Sequence, residues 1–336
     1  MASGTSKHKS FKRSYREDYK RDLEVPGMMY HILNSFRLIF KNWKIFLPLV
    51  VVMVIATILF VGLMSESTYQ EFQTILDKTA QETGAGDIGT FTKSGLLLIS
   101  TVFTGGLSNN ANAGAWVFVA LIFLIIWLIT IFILRHRMAG HEMGLRDAMY
   151  NSMSPLLSTF VVLIVAVIQC IPVMILVIAY SAAVETHFLD TPFYAFLFLV
   201  FSALMILLSG YLLSSTIMAL VAVTAPGLYP MEALKTANEV MASRRIRFIL
   251  RMIALVITLV VVWALIMMPL IMFDLFMKQF EWTRGIPFIP VCLVTMTCFT
   301  AIYTATYFYT YYRWVLQFDV KEEEKNEQKR RRKKNK

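Results

Sequence analysis

Six long apolar runs dominate the pattern of hydrophobic and polar positions along this chain. A helix rises 1.5 Å per residue, so about 20 apolar residues cross the roughly 30 Å of a bilayer core. The runs are continuous rather than alternating, which favours helices over the strands of a membrane barrel. The pattern therefore predicts an all-α, polytopic transmembrane helical bundle of six spans. The predicted spans are residues 45–64, 115–134, 155–181, 192–224, 252–273 and 286–312.

Two of these runs depart from a simple straight span. The third contains Gln169 and Pro172, and a proline removes one backbone donor from a helix. The fourth is the longest and would extend for about 50 Å as a single helix. We expect it to tilt, to bend near Gly210, or to project beyond the bilayer.

Lysine and arginine are distributed unevenly among the polar segments that flank the runs. The seven segments hold 10, 2, 3, 0, 5, 2 and 10 of them in chain order. Basic residues concentrate on the cytoplasmic side, so both termini are predicted to be cytoplasmic in a cell (plasma) membrane. The chain divides into a basic segment 1–26, a membrane domain 27–318 with an outer loop 65–114, and a charged tail 319–336. We expect the tail to be disordered.

A short amphipathic stretch precedes each odd-numbered span. Apolar residues three or four positions apart form one helical face, with polar residues opposite. We interpret these stretches as interfacial helices in the headgroup plane; the alternative is cytoplasmic extensions of the spans that pack on one another. The pattern predicts three repeated units, each an interfacial helix plus a two-span hairpin. The apolar faces are Ile32, Phe36, Ile39 and Trp43; Leu145, Met149 and Met153; and Met231, Leu234, Ala237 and Met241.

The third unit begins with the sequence YPMEALKT at residues 229–236, followed by RRIR at 244–247 and then a span. In this arrangement the chain resembles the YciC-like prokaryotic membrane proteins and the membrane domain attached to some glycerophosphodiester phosphodiesterases. A proline, an Ala-Leu pair, a small polar residue and a basic patch before a span recur in those proteins. The resemblance implies a six-span architecture over residues 30–315 and supplies no mechanism.

The composition supports a surface that faces lipid. Hydrophobic residues make up 57% of the chain and charged residues 16%, against about 25% charged residues in a soluble domain. Cys170, Cys292 and Cys298 all lie in apolar runs, so we interpret them as small buried hydrophobes rather than as a disulfide framework.

The sequence offers no catalytic motif. It has no phosphate-binding glycine loop, no GxSxG and no HExxH. His136 and His141 form the one histidine cluster, but their spacing of five misses the four that places two ligands on one helical face. A solvated loop is therefore favoured over a metal or phosphate site. We predict a protein that is not an enzyme, with no cofactor, catalytic residue or metal ligand.

Small and polar residues inside the spans are the candidate cavity or helix-packing positions. Small residues let helix backbones approach, and hydroxyl groups bond across the contact; a cavity lining is the alternative. Arg247, Arg251 and Asp274, near the ends of the fifth span, are expected to snorkel toward water. The tyrosine-rich stretch 307–314 is interpreted as an aromatic belt at the inner interface. The candidate positions are Gln169, Gly210, Ser214, Thr297, Thr300 and Thr304.

Basic residues beside the spans predict contact with anionic lipid headgroups. Each contributes about 1 kcal/mol near such a surface, so the lipid bilayer is the expected partner. Other membrane proteins or a second copy of the chain stay open as partners. Nucleic acid is not expected, although ribosomal RNA is an alternative ligand for the basic tail. The predicted lipid contacts are Arg37, Lys41, Lys44, Arg244, Arg245, Arg247, Arg330, Arg331 and Arg332.

These observations favour a non-enzymatic integral membrane protein with a scaffold or envelope-organising and assembly role. A transporter or permease for a small or lipid-like substrate is the alternative, because repeated helical units are common among transporters. The two hypotheses differ in the bundle interior. A solvent-lined cavity beside Gln169 favours a transporter, and a dry, closely packed bundle favours a scaffold.

Overall fold

The computed structural model describes residues 27–61, 113–186, 191–225, 227–242, 244–277 and 288–334. Segment 1–26 and nearly all of the outer loop 65–114 lie outside the described residues. Those described form ten helices and no strand. The helices are α1 (Met28–Lys41), α2 (Trp43–Phe60), α3 (Ala113–Met138), α4 (Leu145–Ser152), α5 (Leu156–Gln169), α6 (Ile171–Glu185), α7 (Pro192–Ala222), α8 (Pro230–Met241), α9 (Arg245–Met277) and α10 (Phe288–Lys334).

Six helical segments are long and apolar enough to cross a membrane, which confirms the predicted multi-pass, all-helical architecture. Helices α2, α3, α7, α9 and the apolar part of α10 each supply one segment, and α5 with α6 supplies the third. α5 ends at Gln169, and α6 begins at Ile171 with Pro172 in its first turn. Proline is tolerated there because the first helical N–H groups have no partner in the helix. α7 is continuous through Gly210.

The larger hydrophobic cluster lies in one half of the bundle, where α3, α7 and the apolar part of α10 end, and a smaller one joins α9 to the start of α10. We call this the basic end, because α1, α4 and α8 with their lysines and arginines also lie there. In the most apolar stretch of each helix, 50% of the residues of α3 and 56% of those of α10 are buried, against 6% of those of α7. α3 and α10 are therefore the central helices, while α7 exposes most of its N-terminal half to the surroundings.

The three short helices pack in a repeating order. α4 packs on α3, α8 packs on α7, and α1 packs on α10. The first helix of each hairpin contacts the same partner: α5 contacts α3, α9 contacts α7, and α2 contacts α10. The buried faces of the short helices include Ser35 in α1, Ala148 in α4, and Ala233 and Ala237 in α8. Such small side chains let helices approach closely.

The buried faces differ in part from the predicted ones. Trp43 begins α2 and is exposed, and Met231 in the first turn of α8 is exposed as well. α1 instead buries His31 and Ser35 beside its two predicted isoleucines. The face of α1 toward the protein is therefore part polar, which the apolar periodicity did not show.

The tail also differs from the prediction, because α10 continues as one helix to Lys334. Residues 317–334 contain no glycine or proline and are rich in glutamate, glutamine, lysine and arginine. These residue types have high helix propensity, so the charged sequence extends the sixth span instead of ending it.

Candidate functional site

A face of buried tyrosines on α10 forms one side of the most polar site at the basic end. Tyr303, Tyr307 and Tyr311 follow one another at a spacing of four, so they lie on one face of the helix. All three are fully buried, so the interpretation of stretch 307–314 as an aromatic belt at the inner interface is wrong for Tyr307 and Tyr311. α1 packs across this face, and the Phe36 ring lies 4.3 Å from the Tyr303 ring.

His31 of α1 lies among these aromatic rings. Its ring centroid is 5.8 Å from that of Tyr311, 6.1 Å from that of Trp314 and 6.5 Å from that of Tyr307, each in an edge-to-face arrangement. The side chain is 1% exposed. An edge-to-face arrangement is favourable for aromatic pairs, so the rings fix the position of the imidazole.

Arg251 of α9 is the third element of the site. Its guanidinium carbon lies 5.0 Å from the centroid of the Tyr311 ring, within the range of a cation–π interaction. The residue is 7% exposed, and Asp274 near the other end of α9 is 2% exposed. The prediction that Arg251 and Asp274 snorkel to water is therefore wrong. Both side chains are instead buried against protein.

Electrostatics link these groups into one cluster, which we call the His31 cluster and define as His31, Arg251, Tyr307 and Tyr311. The charge of Arg251 acts on His31 and on the hydroxyl groups of both tyrosines. Burial, and then the positive charge of Arg251, lower the pKa of His31 from 6.5 to about 4. His31 is therefore neutral at neutral pH and has one N–H donor.

Hydrogen bonding within the site is uneven. The Tyr303 hydroxyl donates to the backbone carbonyl of Ile32, and the Ser35 hydroxyl donates to the carbonyl of His31 at 2.8 Å. By contrast, the Tyr307 hydroxyl and Nε2 of His31 are buried and have no hydrogen-bond partner among the described residues. An unsatisfied buried polar group costs about 1–3 kcal/mol, so these two atoms are the least favourably placed polar atoms of His31 and Tyr307.

Gln169, the most polar mid-span residue, lies in a second polar group between α5 and α7. The Thr216 hydroxyl donates to its side-chain Oε1, and the Ser209 hydroxyl donates to its backbone carbonyl at 2.9 Å. That carbonyl is available because the amide of Val173 bonds to Cys170 instead. Backbone groups freed at a helix break in a membrane need such replacement partners. Gln169 therefore joins two helices at the break.

The threonines of the sixth span also have partners. The indole of Trp263 on α9 donates to the Thr300 hydroxyl at 2.9 Å, which links α9 to α10. Thr297 donates to the backbone carbonyl of Leu293 in its own helix, as Thr300 does to that of Met296. Thr304 lies half-buried beside them. Thr300 is thus the one candidate in this stripe that bonds to a second helix.

The predicted small-residue contact at Gly210 and Ser214 is only partly present. Ser214 is fully buried, and its hydroxyl donates to the carbonyl of Tyr211. A Cβ atom built on Gly210 meets no atom of the described residues within 4 Å. No described helix therefore approaches the backbone closely at Gly210, in contrast to the predicted close approach.

The predicted lipid-contact residues fall into three groups. Arg37, Lys41 and Lys44 of α1 and α2 are exposed at the basic end. Next to α9, Arg244 is buried and Arg247 is exposed, while Arg245 lies 4.1 Å from the Tyr211 ring centroid and donates to Asn238. The third group, Arg330, Arg331 and Arg332, lies on α10 at least 20 Å or so along the helix beyond Leu316.

The histidine pair after α3 does not form a metal site with its described neighbours. The rings of His136 and His141 are 6.5 Å apart, and Nδ1 of His136 lies 3.0 Å from the Phe132 carbonyl oxygen. Arg137 and Glu142 form an exposed ion pair at 3.8 Å. Throughout the described ranges, no three histidine, cysteine or acidic side chains come together in a way that suits a metal.

Sequence reasoning missed the His31 cluster, although two signals point to it. His31, Ser35 and Ile39 are four residues apart, so a polar and apolar mixture occupies one face of α1. Tyr303, Tyr307 and Tyr311 have the same spacing in the sixth span. Comparisons of the chain with protein-family models, curated proteins and solved structures found no match. The interpretation of the site therefore rests on its own geometry.

Proposed function

We propose that this protein is a non-enzymatic scaffold of a cell membrane, with an envelope-organising or assembly role. In this proposal the basic end and both termini face the cytoplasm, and the exposed cations Arg37, Lys41 and Lys44 contact anionic headgroups. The resemblance to the YciC-like proteins stays a prediction beside it.

The observation that carries the proposal is the pairing of polar groups inside the spans. Gln169 bonds to Thr216, and Thr300 bonds to Trp263, so both candidate path residues join helices together. A transport path needs polar groups that are available to a substrate or to water. Polar side chains that form hydrogen bonds between helices instead stabilise one closed arrangement of those helices.

The repeated-unit architecture is part of the same proposal. α4 and α8 each pack on the second span of the hairpin before them. α1, which has no hairpin before it, packs on α10, the last span of the chain. Three copies of one unit, each packed on the last span of the copy before it, account for this order. Such a ring places three short helices at one membrane surface, as a protein that organises that surface requires.

The proposal is tested by comparing two variants in cells that lack the natural chain. One variant carries Gln169→Leu and Thr300→Val, which remove the mid-span polar groups. The other carries Arg37→Gln, Lys41→Gln and Lys44→Gln, which remove the exposed cations of the basic end. The readouts are the membrane proteins cross-linked to the chain in intact cells and the resistance of those cells to osmotic stress.

A scaffold retains both readouts in the mid-span variant and loses them in the basic-end variant. The opposite result, loss in the mid-span variant with retention in the basic-end variant, contradicts the scaffold and favours the permease. Equal amounts of each variant in the membrane fraction provide the control for folding and insertion.

A further inference from the structure

The His31 cluster has the components of an anion site. Arg251 brings a buried positive charge, and the Tyr307 hydroxyl brings a donor that no described residue engages. Nε2 of His31, more than nine-tenths buried, is the second such group. The cation and the two other groups belong to three different helices. Arg251 is in α9, Tyr307 in α10 and His31 in α1, and these helices are in contact with one another.

Three arginines of α9 and the residue before it concentrate positive charge around this cluster. Arg244, Arg247 and Arg251 are three and four residues apart, which places them on one side of α9 and the residue before it. All three charges act on the Tyr311 hydroxyl. Positive charges this close together favour an anion beside them.

Arg251 is about 9 Å along the helix from Arg245, the residue at which both α9 and the fifth apolar segment begin. In the proposed orientation the basic end lies at the membrane surface, where lipid phosphates are, and Arg247, one turn before Arg251, is exposed.

We propose that the His31 cluster binds a phosphate group, held by the Arg251 guanidinium, the Tyr307 hydroxyl and the His31 N–H. A guanidinium presents paired donors that match two phosphate oxygens, and the hydroxyl and the imidazole supply donors for the others. The phosphate belongs to a phospholipid headgroup or to a soluble phosphate compound. The inference deepens the proposed function and depends on it only for the position of the basic end at a membrane surface.

The test uses the detergent-purified full-length protein and measures binding by native mass spectrometry and by thermal stabilisation. The probes are phosphatidylglycerol, diacylglycerol with the same acyl chains, and inorganic phosphate. The key variant is Tyr307→Phe, which removes the hydroxyl that no described residue engages. Tyr303→Phe is the matched control, because its hydroxyl already has a partner in Ile32. Arg251→Lys provides a second variant that keeps the charge and removes the paired donors.

We expect the natural protein to bind phosphatidylglycerol and not diacylglycerol. Tyr307→Phe and Arg251→Lys should weaken that binding by about tenfold, since each removes a hydrogen bond to a charged acceptor. Tyr303→Phe should leave the affinity unchanged. If only inorganic phosphate stabilises the protein, and Tyr307→Phe and Arg251→Lys weaken that effect while Tyr303→Phe does not, the site belongs to a soluble phosphate compound.

Equal affinity of the natural protein and Tyr307→Phe for both phosphate probes overturns the inference. So does binding of diacylglycerol as tight as that of phosphatidylglycerol. The combined variant at Arg37, Lys41 and Lys44 separates this outcome from a failure of the proposed function. It should lose the cross-links and the osmotic resistance while it retains the stoichiometric phosphate site.

Discussion

The Tyr303 hydroxyl donates a hydrogen bond to the backbone carbonyl of Ile32, with 3.3 Å between the two oxygens. The bond ties the sixth span to α1, the helix farthest from it in the sequence. One turn later on the same face, the Tyr307 hydroxyl has no partner among the described residues. Two residues of the same type, equally buried, therefore differ in whether their hydroxyl groups are satisfied.

Replacement of these two tyrosines should have opposite consequences for stability. Tyr303→Phe removes a hydrogen bond and leaves the Ile32 carbonyl without that donor, so the free energy of unfolding should fall by about 1 kcal/mol. Tyr307→Phe removes an unsatisfied buried hydroxyl and should leave that free energy unchanged or raise it. Unfolding in detergent, followed by circular dichroism in the absence of phosphate compounds, measures both. Equal destabilisation by the two variants would show that the Tyr307 hydroxyl is bonded.

His31 should make the protein sensitive to acid. Its pKa is about 4 in the folded protein against 6.5 for an unperturbed histidine, so between these values the unfolded chain binds more protons. Stability is therefore fully present above about pH 6.5 and falls as the pH drops toward 4. From pH 7 to pH 5 the loss should be about 2 kcal/mol.

The control for this prediction is His31→Phe, which keeps an aromatic ring beside Tyr311 and Trp314 and cannot take up a proton. The difference in unfolding free energy between the two proteins should change with pH over that interval. A difference that is constant from pH 7 to pH 5 would mean that His31 is not buried as a neutral group.

The bond between Gln169 and Thr216 should be measurable as a coupling energy. In a double-mutant cycle of Gln169→Leu and Thr216→Val, we expect about 1 kcal/mol of coupling, the usual range for hydrogen bonds between membrane helices. Ser209→Ala provides a comparison, because its hydroxyl bonds to the backbone of Gln169 and not to the side chain. Additive effects of Gln169→Leu and Thr216→Val would exclude the bond.

Two glycines near the C-terminal half of α7 should respond in opposite directions to alanine. Gly210 is helical with open space for a Cβ among the described residues, so Gly210→Ala should stabilise the protein by about 1 kcal/mol. Gly227 has φ +84°, a conformation that alanine adopts only with strain, so Gly227→Ala should destabilise it by about 1 kcal/mol. Destabilisation by Gly210→Ala, measured as a lower unfolding midpoint in detergent, would indicate the close helix contact that the sequence predicts.

The spans were predictable because lipid permits few alternatives. Uncharged runs of sufficient length satisfy their backbone only as helices, so composition and length alone located all six. The break after Gln169 follows from Pro172 in the same way. These features depend on local sequence, which a single chain displays directly.

The rotation of each span about its axis, which decides whether a side chain faces lipid or protein, was not predictable. Arg251 either snorkels or faces protein depending on how α9 is rotated, and that rotation depends on α10 and α1, which lie far away in the sequence. His31 lies on a face whose apolar members, Ile32 and Ile39, suggested lipid as its partner. The His31 cluster arises from contacts among three helices. The spacing of four marks a face on α1 and a face on α10, but no local pattern specifies that these faces meet each other and α9.

The threading of the chain is the claim on which the proposed function depends, and cysteine labelling tests it most directly. Single cysteines are placed at exposed residues of each end, Glu142→Cys and Glu232→Cys at the basic end and Thr186→Cys at the other, after replacement of Cys170, Cys292 and Cys298. In intact cells a membrane-impermeant thiol reagent should label the Thr186 variant, and it should label the other two only after permeabilisation. Labelling of Thr186→Cys and Glu142→Cys from the same side would contradict the six-span threading and the cytoplasmic position of the basic end.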